Sequence, residues 1–347
     1  MSAPSASAPD PSILRRLPAI VKAYQKSDPR KAAIQILNSF LPFIGIWIAM
    51  YLLLDVSIWI SLGLALINAF FLVRIFIIQH DCGHQSFTAS RRLNDIIGIT
   101  CGIISFMPYR YWAKSHNFHH GHNGMLFEHR DIGDIRLLTV EEYRALGFWR
   151  KFHYRLFRSA PVLFLIGPVY YLFIQNRLPL IRLKGWEHAH RALLRHNLAL
   201  VGVYVAIVWL LGYKALLLVH VPILVFFSVI AIWFFYVQHQ HETTYKAWKD
   251  KWDYIRAAIQ GSTYYKLPRL FHWLTGNIGY HHIHHLNSLV PNYQLARCHN
   301  ENPVFDKIAN AITFRQSLRC IFNKLWDEEQ QRMISFREYA RRYKNAR

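Results

Sequence analysis

The sequence predicts an all-α integral membrane protein: four transmembrane helices in two hairpins, with a cytoplasmic helical cap that carries a histidine-rich metal site. Three observations predict it. Hydrophobic residues make up 53% of the 347 and fall in long blocks. Lysine and arginine collect between and beyond the paired blocks. The histidines gather where blocks end.

An α-helix needs about 20 largely apolar residues to cross a hydrocarbon core of roughly 30 Å. Blocks of that kind lie near 36–54, 56–79, 197–219 and 220–238. Four of them are hard to bury in a soluble protein of this length, which argues against a soluble helical fold. Basic residues accumulate on the cytoplasmic side of a membrane protein. Of 41 Lys and Arg, 6 lie in residues 1–35, 16 in 80–196 and 17 in 239–347. The remaining two are Arg74, inside the second span, and Lys214, in the short turn between the third and fourth. The turn between the first and second, LLLDVS, has no basic residue. Both termini, the middle segment and the C-terminal segment are therefore expected on the cytoplasmic face.

The net charge of +21 then belongs to one face, where anionic headgroups and an acidic protein are the natural company. Four spans argue against nucleic acid as the reason for it. The N-terminal stretch MSAPSASAPDPS is polar and is not followed at once by an apolar core. It is expected to open a disordered or interfacial tail over residues 1–34, not a signal peptide. Cys82, Cys101, Cys298 and Cys320 show no CxxC spacing, and on a cytoplasmic face they are expected to stay reduced.

Thirteen of the 20 histidines fall in four places: HDCGH (80–84), HNFHHGH with His129, HQH (239–241) and HHIHH (281–285). With the orientation above, all four meet at one membrane surface. On a helix turning about 100° per residue, His80 and His84 share a face. His116, His119 and His120 fall within an arc of about 100°, and His281, His284 and His285 repeat that arrangement. His122 points away and His282 flanks its set. His239 and His241 point in opposite directions, so only one can join the others.

One divalent ion takes about four to six ligands, so nine inward imidazoles imply two metals. Imidazole suits iron, zinc, copper and nickel, and hardly suits magnesium or calcium. Zinc sites often include thiolate, which is missing here, whereas iron leaves room for dioxygen. Ligating histidines commonly donate their other N–H to a carboxylate or carbonyl. Asp81, Asp131, Asp134 and Glu242 are near enough in sequence for that role. Asn277 could hold a water or headgroup, or shape the Gly276/Gly279 turn. The scattered His153, His188, His190, His196, His220 and His299 read as ordinary polar residues.

The ordered set HDCGH, HNFHH and HHIHH resembles the three histidine boxes of the membrane fatty acid desaturases. GDIRLLTVEEYRAL (133–146), RLFRSAPVLFLIGPVYYLF (155–173), WFFYVQHQHE (233–242) and the segment 261–300 resemble bacterial acyl-lipid desaturases. The resemblance covers roughly residues 35–305 and leaves 306–347 as a basic helical tail. It implies a non-haem di-iron centre that uses O2 to place a cis double bond in the acyl chains of membrane phospholipids. The family's ligands carry over to His80, His84, His116, His119, His120, His239, His281, His284 and His285. His122 and His282 are additional to the family pattern.

The resemblance also implies a bacterial inner-membrane location and a separate electron donor, ferredoxin, since no haem or Gly-rich nucleotide motif is visible. The boxes do not encode the double-bond position; delta-12 (omega-6) is preferred to delta-5 or delta-9. The stretches 96–109 and 160–173 are short for spans and read as interfacial, re-entrant or packing helices. The nearest rival reading is a histidine-box hydroxylase or ketolase. A histidine-rich metal transporter is more remote, because its ionisable residues would sit at mid-membrane.

Overall fold

A computed structural model describes residues 10–343; the first nine residues of the expected N-terminal tail and the last four of the C-terminal tail lie outside the described residues. From Pro11 onward the N-terminal segment is not a disordered tail. Asp10 accepts the Ser12 N–H at 2.8 Å and caps helix α1 (Pro11–Lys22). Its Leu17 and Val21 are fully buried, and α1 rests on the cap.

Among the described residues, four helices are long and apolar enough to cross a membrane: α2 (Pro29–Leu52), α3 (Ile58–Gly83), α9 (Glu187–Leu211), and the run Ala215–His239, a π-helical turn leading into α10 (Val221–His239). Their exposed faces show why they need lipid. On α2, Ile34, Leu37, Leu41, Ile44, Ile48 and Leu52 form a stripe at helical spacing, each about half exposed or more. Leu194, Leu198, Val201 and Val205 do the same on α9. Apolar stripes of this length are not left in water. The inner side is close-packed around α3, where Ala65, Ala69 and Leu72 are fully buried and α2, the helix Arg91–Ser105 and α10 pack alongside.

Helix α4 (Arg91–Ser105) covers the first interrupted apolar stretch. Phe106 takes a left-handed conformation (φ 59°) and reverses the chain into α5 (Tyr109–His122), which returns toward the end of α3. After α6 (Val140–Ala145) and α7 (Phe148–Phe157), a π-helical turn leads into α8 (Gly167–Phe173). Helix α7 and the run Val162–Arg177, which contains most of the second interrupted stretch, meet at a bend of 56°.

The cap follows α10: α11 (Tyr254–Gln260), α12 (Arg269–Leu274), α13 (His281–Leu286), α14 (Asn292–Glu301), α15 (Val304–Ile308), α16 (Phe314–Ser317) and α17 (Phe336–Tyr343). The segment after 305 departs from the expected helical tail. Numbering the strands in chain order, β1 (Met125–Leu126) pairs with β3 (Ala247–Trp248), and β4 (Thr263–Lys266) with β5 (Asn310–Thr313). Strand β2 (Leu138–Thr139) pairs with β6 (Leu325–Asp327), itself paired with β7 (Arg332–Ile334). The C-terminal segment is thus stitched into the cap, with Leu325 and Ile334 buried against Leu138 and Tyr143. Hydropathy could not announce this, because two- to four-residue strands carry no readable period.

Arg74, the charge within α3, is buried. Its guanidinium lies 3.9 Å from the centre of the Trp273 ring and donates to Ser39 Oγ (3.2 Å), Asn38 Oδ1 (2.7 Å) and the Trp273 carbonyl. No carboxylate is needed, because neutral acceptors and a ring face take every polar edge.

Candidate metal centre

His80 stands in the last turn of α3, and His84 follows as the cap residue of that helix. Helix α5 presents His116, His119 and His120 from one side; His122 leaves that face, with Nδ1 donating to the Phe118 carbonyl at 2.8 Å. His239 closes α10, and the short α13 supplies His281, His284 and His285. All nine are buried.

They separate into two adjoining groups. In the first, one ring nitrogen from each of His80, His84, His116, His120 and His284 lies within 4.8 Å of all the others. In the second, His119, His239 and His285 do the same. His281 joins that group, its Nε2 2.9 Å from His239 Nε2 and 3.1 Å from His285 Nε2. The groups touch where the rings of His120 and His285 stack at 4.1 Å.

Whether a metal fits can be judged from the nitrogens themselves. His80 donates Nδ1–H to Asp81 Oδ1 at 2.9 Å, and His239 donates Nδ1–H to the Gly261 carbonyl at 3.2 Å. Both therefore present a bare Nε2 lone pair to the interior. Among the described residues, His80 Nε2 and both ring nitrogens of His84 are buried without a hydrogen-bond partner. Burial, reinforced by neighbouring imidazoles, holds His84, His116, His120, His281, His284 and His285 well below the ordinary imidazole range. His119 is pulled to about 4 by burial against the opposing pull of Asp134. Neutral nitrogens with converging lone pairs about 3 Å apart are poorly satisfied by one another and well satisfied by a shared cation. The donor set fits transition metals.

The supporting residues sort themselves by contact. Asp81 Oδ2 accepts the backbone N–H of Asn292 at 2.6 Å and its side-chain amide at 2.8 Å, so the carboxylate that orients His80 is itself fixed. Sequence reasoning missed Asn292, which lies 211 positions away. Asp134 lies 3.8 Å from His119 Nδ1. Lys246, also missed, is buried within the field of Asp134, and burial lowers its pKa. Asp131 pairs with Arg136 at 3.6 Å. His241 is buried outside both groups, 3.5 Å from the Thr243 hydroxyl. Glu242 turns to Arg332 at 3.1 Å. Asn277 forms the turn, with φ 58°, and donates to the Asn292 carbonyl at 3.3 Å. His282 points away from the centre, 3.2 Å from His299.

A cavity of about 1050 Å³ opens onto the histidines, at the upper end of ligand-sized pockets. His80, His116 and His281 reach it, and Val73, Phe76, Met107, Phe227 and Ile230 give it an apolar wall. An apolar chain could lie there against the imidazole groups.

The model of the fatty acid desaturase family matches residues 57–314, about three quarters of the chain. This chain belongs to the fatty acid desaturases. A relative from Bacillus subtilis (strain 168), named fatty acid desaturase, is 42% identical over 91% of this chain and 89% of its own length. The sn-1 oleoyl-lipid 12-desaturase of Anabaena variabilis is 27% identical over 81% of this chain and 79% of its own. The sn-1 acyl-lipid omega-3 desaturase (ferredoxin) of Nostoc sp. (strain 36) is 26% identical over 73% and 69%. Among desaturases, then, this one combines four candidate spans, a buried histidine cluster able to hold metal, and an apolar cavity beside it.

Proposed function

We propose that the chain is an O2-dependent di-iron desaturase that introduces a cis double bond into the acyl chains of membrane phospholipids. One observation carries the reading: two adjoining groups of neutral imidazoles open on an apolar cavity. In this reading His80, His84, His116, His120 and His284 hold one iron, and His119, His239, His281 and His285 the other. The iron pair, when bound, supplies the reduction of O2 and the oxidation of unactivated C–H bonds.

The protein's own residues do the rest. Asp81 and the Gly261 carbonyl fix the tautomers of His80 and His239. The cavity wall excludes water and holds the chain, and Trp112, stacked on His116 at 4.5 Å, stiffens that wall. Adjacent methylenes are chemically alike, so the depth of the chain in the cavity sets which pair reacts. The balance is fixed: two C–H bonds supply two electrons and two protons, and an external donor with solvent supplies two more of each, to reduce O2 to two waters.

The position we propose is delta-12 (omega-6), supported by the name of the Anabaena relative. A ferredoxin donor is supported by the name of the Nostoc relative. The basic residues support a topology of two hairpins, with cap and both termini on the cytoplasmic face of a bacterial inner membrane. Expression in a host with only saturated and monounsaturated lipids, followed by mass spectrometric location of new double bonds, tests the reading. Diunsaturated chains with a new bond at carbon 12 are expected. Hydroxylated or ketolated chains without new double bonds would overturn it, as would bound zinc with no O2 consumption.

A further inference from the structure

The two external electrons have to cross the cap. Helix α11 packs directly on α13, and its first residue, Tyr254, is 40% exposed. The Tyr254 hydroxyl donates to the backbone carbonyl of His285 at 2.9 Å. One side chain therefore joins solvent to the main chain of a residue in the metal centre. Trp252, half-buried, lies beside it with ring centres 6.1 Å apart, and donates its indole N–H to the Asn123 carbonyl at 2.8 Å, just past the end of α5. Here the wall is thin and aromatic.

The charge on its segment and on α1 is mainly positive. On α1 and the segment leading into α11, Arg15, Arg16, Lys22, Lys249 and Lys251 are exposed and Arg256 is half-buried. Three acids accompany them, Asp10, Asp250 and Asp253. Two are spent as helix caps, Asp10 on the Ser12 N–H and Asp253 on the Arg256 N–H at 2.7 Å. Six cations against three acids leave the surface net basic around an aromatic centre.

Resting on the desaturase reading above, we infer that the Trp252–Tyr254 surface, with these cations on its own segment and on α1, which shares a core cluster with α11, docks an acidic one-electron carrier protein and that Tyr254 is its route to the metal centre. Two successive one-electron transfers supply the two electrons; each oxidises one carrier, and the protons come from solvent. Complementary charge raises the encounter rate and fixes orientation, and both effects are screened by salt.

The test compares two reductants on the iron-loaded enzyme in phospholipid vesicles: a reduced acidic [2Fe–2S] ferredoxin, and dithionite with methyl viologen. Lys249→Glu with Lys251→Glu is expected to raise KM for ferredoxin about tenfold and flatten its salt dependence, with the viologen rate unchanged. Arg15→Glu with Arg16→Glu, on a separate element, should shift KM in the same sense. Tyr254→Phe should slow the ferredoxin-driven rate alone. An unchanged ferredoxin KM in both pairs would overturn the inference. So would an equal loss with both reductants, or a KM shift produced instead by Arg337→Glu with Arg341→Glu on α17. Absence of unsaturated product from the wild type with either reductant would overturn the desaturase reading itself.

Discussion

The two faces of α13 carry the same side chain in opposite company. On the inner face, His281 lies 2.9 Å from His239 of α10, His284 lies 2.9 Å from His120 of α5, and His285 lies 3.1 Å from His281, nitrogen to nitrogen. On the outer face, His282 Nε2 meets His299 Nδ1 at 3.2 Å, and His299 Nε2 meets Asp306 at 3.3 Å near the surface. The Tyr264 ring lies tilted against His299 at 4.3 Å and Phe305 lies against His282 at 5.6 Å. The inner imidazoles have no carboxylate to pair with one another and need a cation. The outer pair hydrogen-bond to each other and, through His299, reach a carboxylate. A histidine's role here follows its face, not the density of histidine around it.

That contrast is broken or sharpened first by alanine on each face. His284→Ala should lower product formation at least about a hundredfold and lose metal, since it opens the five-imidazole group. His282→Ala should keep most activity and metal, and lower stability by about 1–3 kcal/mol. Lipid analysis and metal content read both; equal losses would erase the distinction. Asp81→Asn comes next. It keeps the shape but lets an amide face His80, and a loss of about 10- to 100-fold in metal affinity is expected from disturbing such a contact.

A smaller effect is expected at Gly133, which sits at φ 72°, where an added Cβ would meet the Ser115 carbonyl at 2.6 Å and His119 Cβ at 3.0 Å. Gly133→Ala should cost about 1–3 kcal/mol and reduce turnover a few-fold by pushing α5. Thermal unfolding in detergent measures the first, and product assay the second.

The smallest effect concerns pH, through His272 of α12, in the outer set. Burial pulls it to about 4, with neighbouring His299 adding to the shift. The unfolded chain, near 6.5, takes up the proton first, so stability is lost as pH falls from 6.5 toward 4. The loss is about 2 kcal/mol by pH 5. In His272→Asn, the drop in melting temperature between pH 7 and pH 5 should shrink accordingly.

Much of the centre was legible because helix geometry is local. The HxxHH spacing sorts its own faces, which is why His122 and His282 could be set apart from their neighbours without a structure. The spans were legible because lipid demands long apolar runs. What was not legible is what depends on distant pairs: Asn292 holding Asp81, Lys246 buried near Asp134, and Glu242 drawn off to Arg332. Helix α1 was hidden by a tail of Ser, Ala and Pro, and β5 to β7 by strands too short to show a period.

Arg74 carries a consequence for biosynthesis. The ring and carbonyl that satisfy its guanidinium belong to Trp273. That residue is synthesised long after α3 has left the ribosome, and after α9 and α10. Until then a cation waits in the second span with only Asn38 and Ser39 as company, an arrangement the bilayer resists. A truncation before Trp273 should therefore leave Arg74 without its ring and carbonyl partners, and α3 poorly anchored and open to the cell's quality-control proteases.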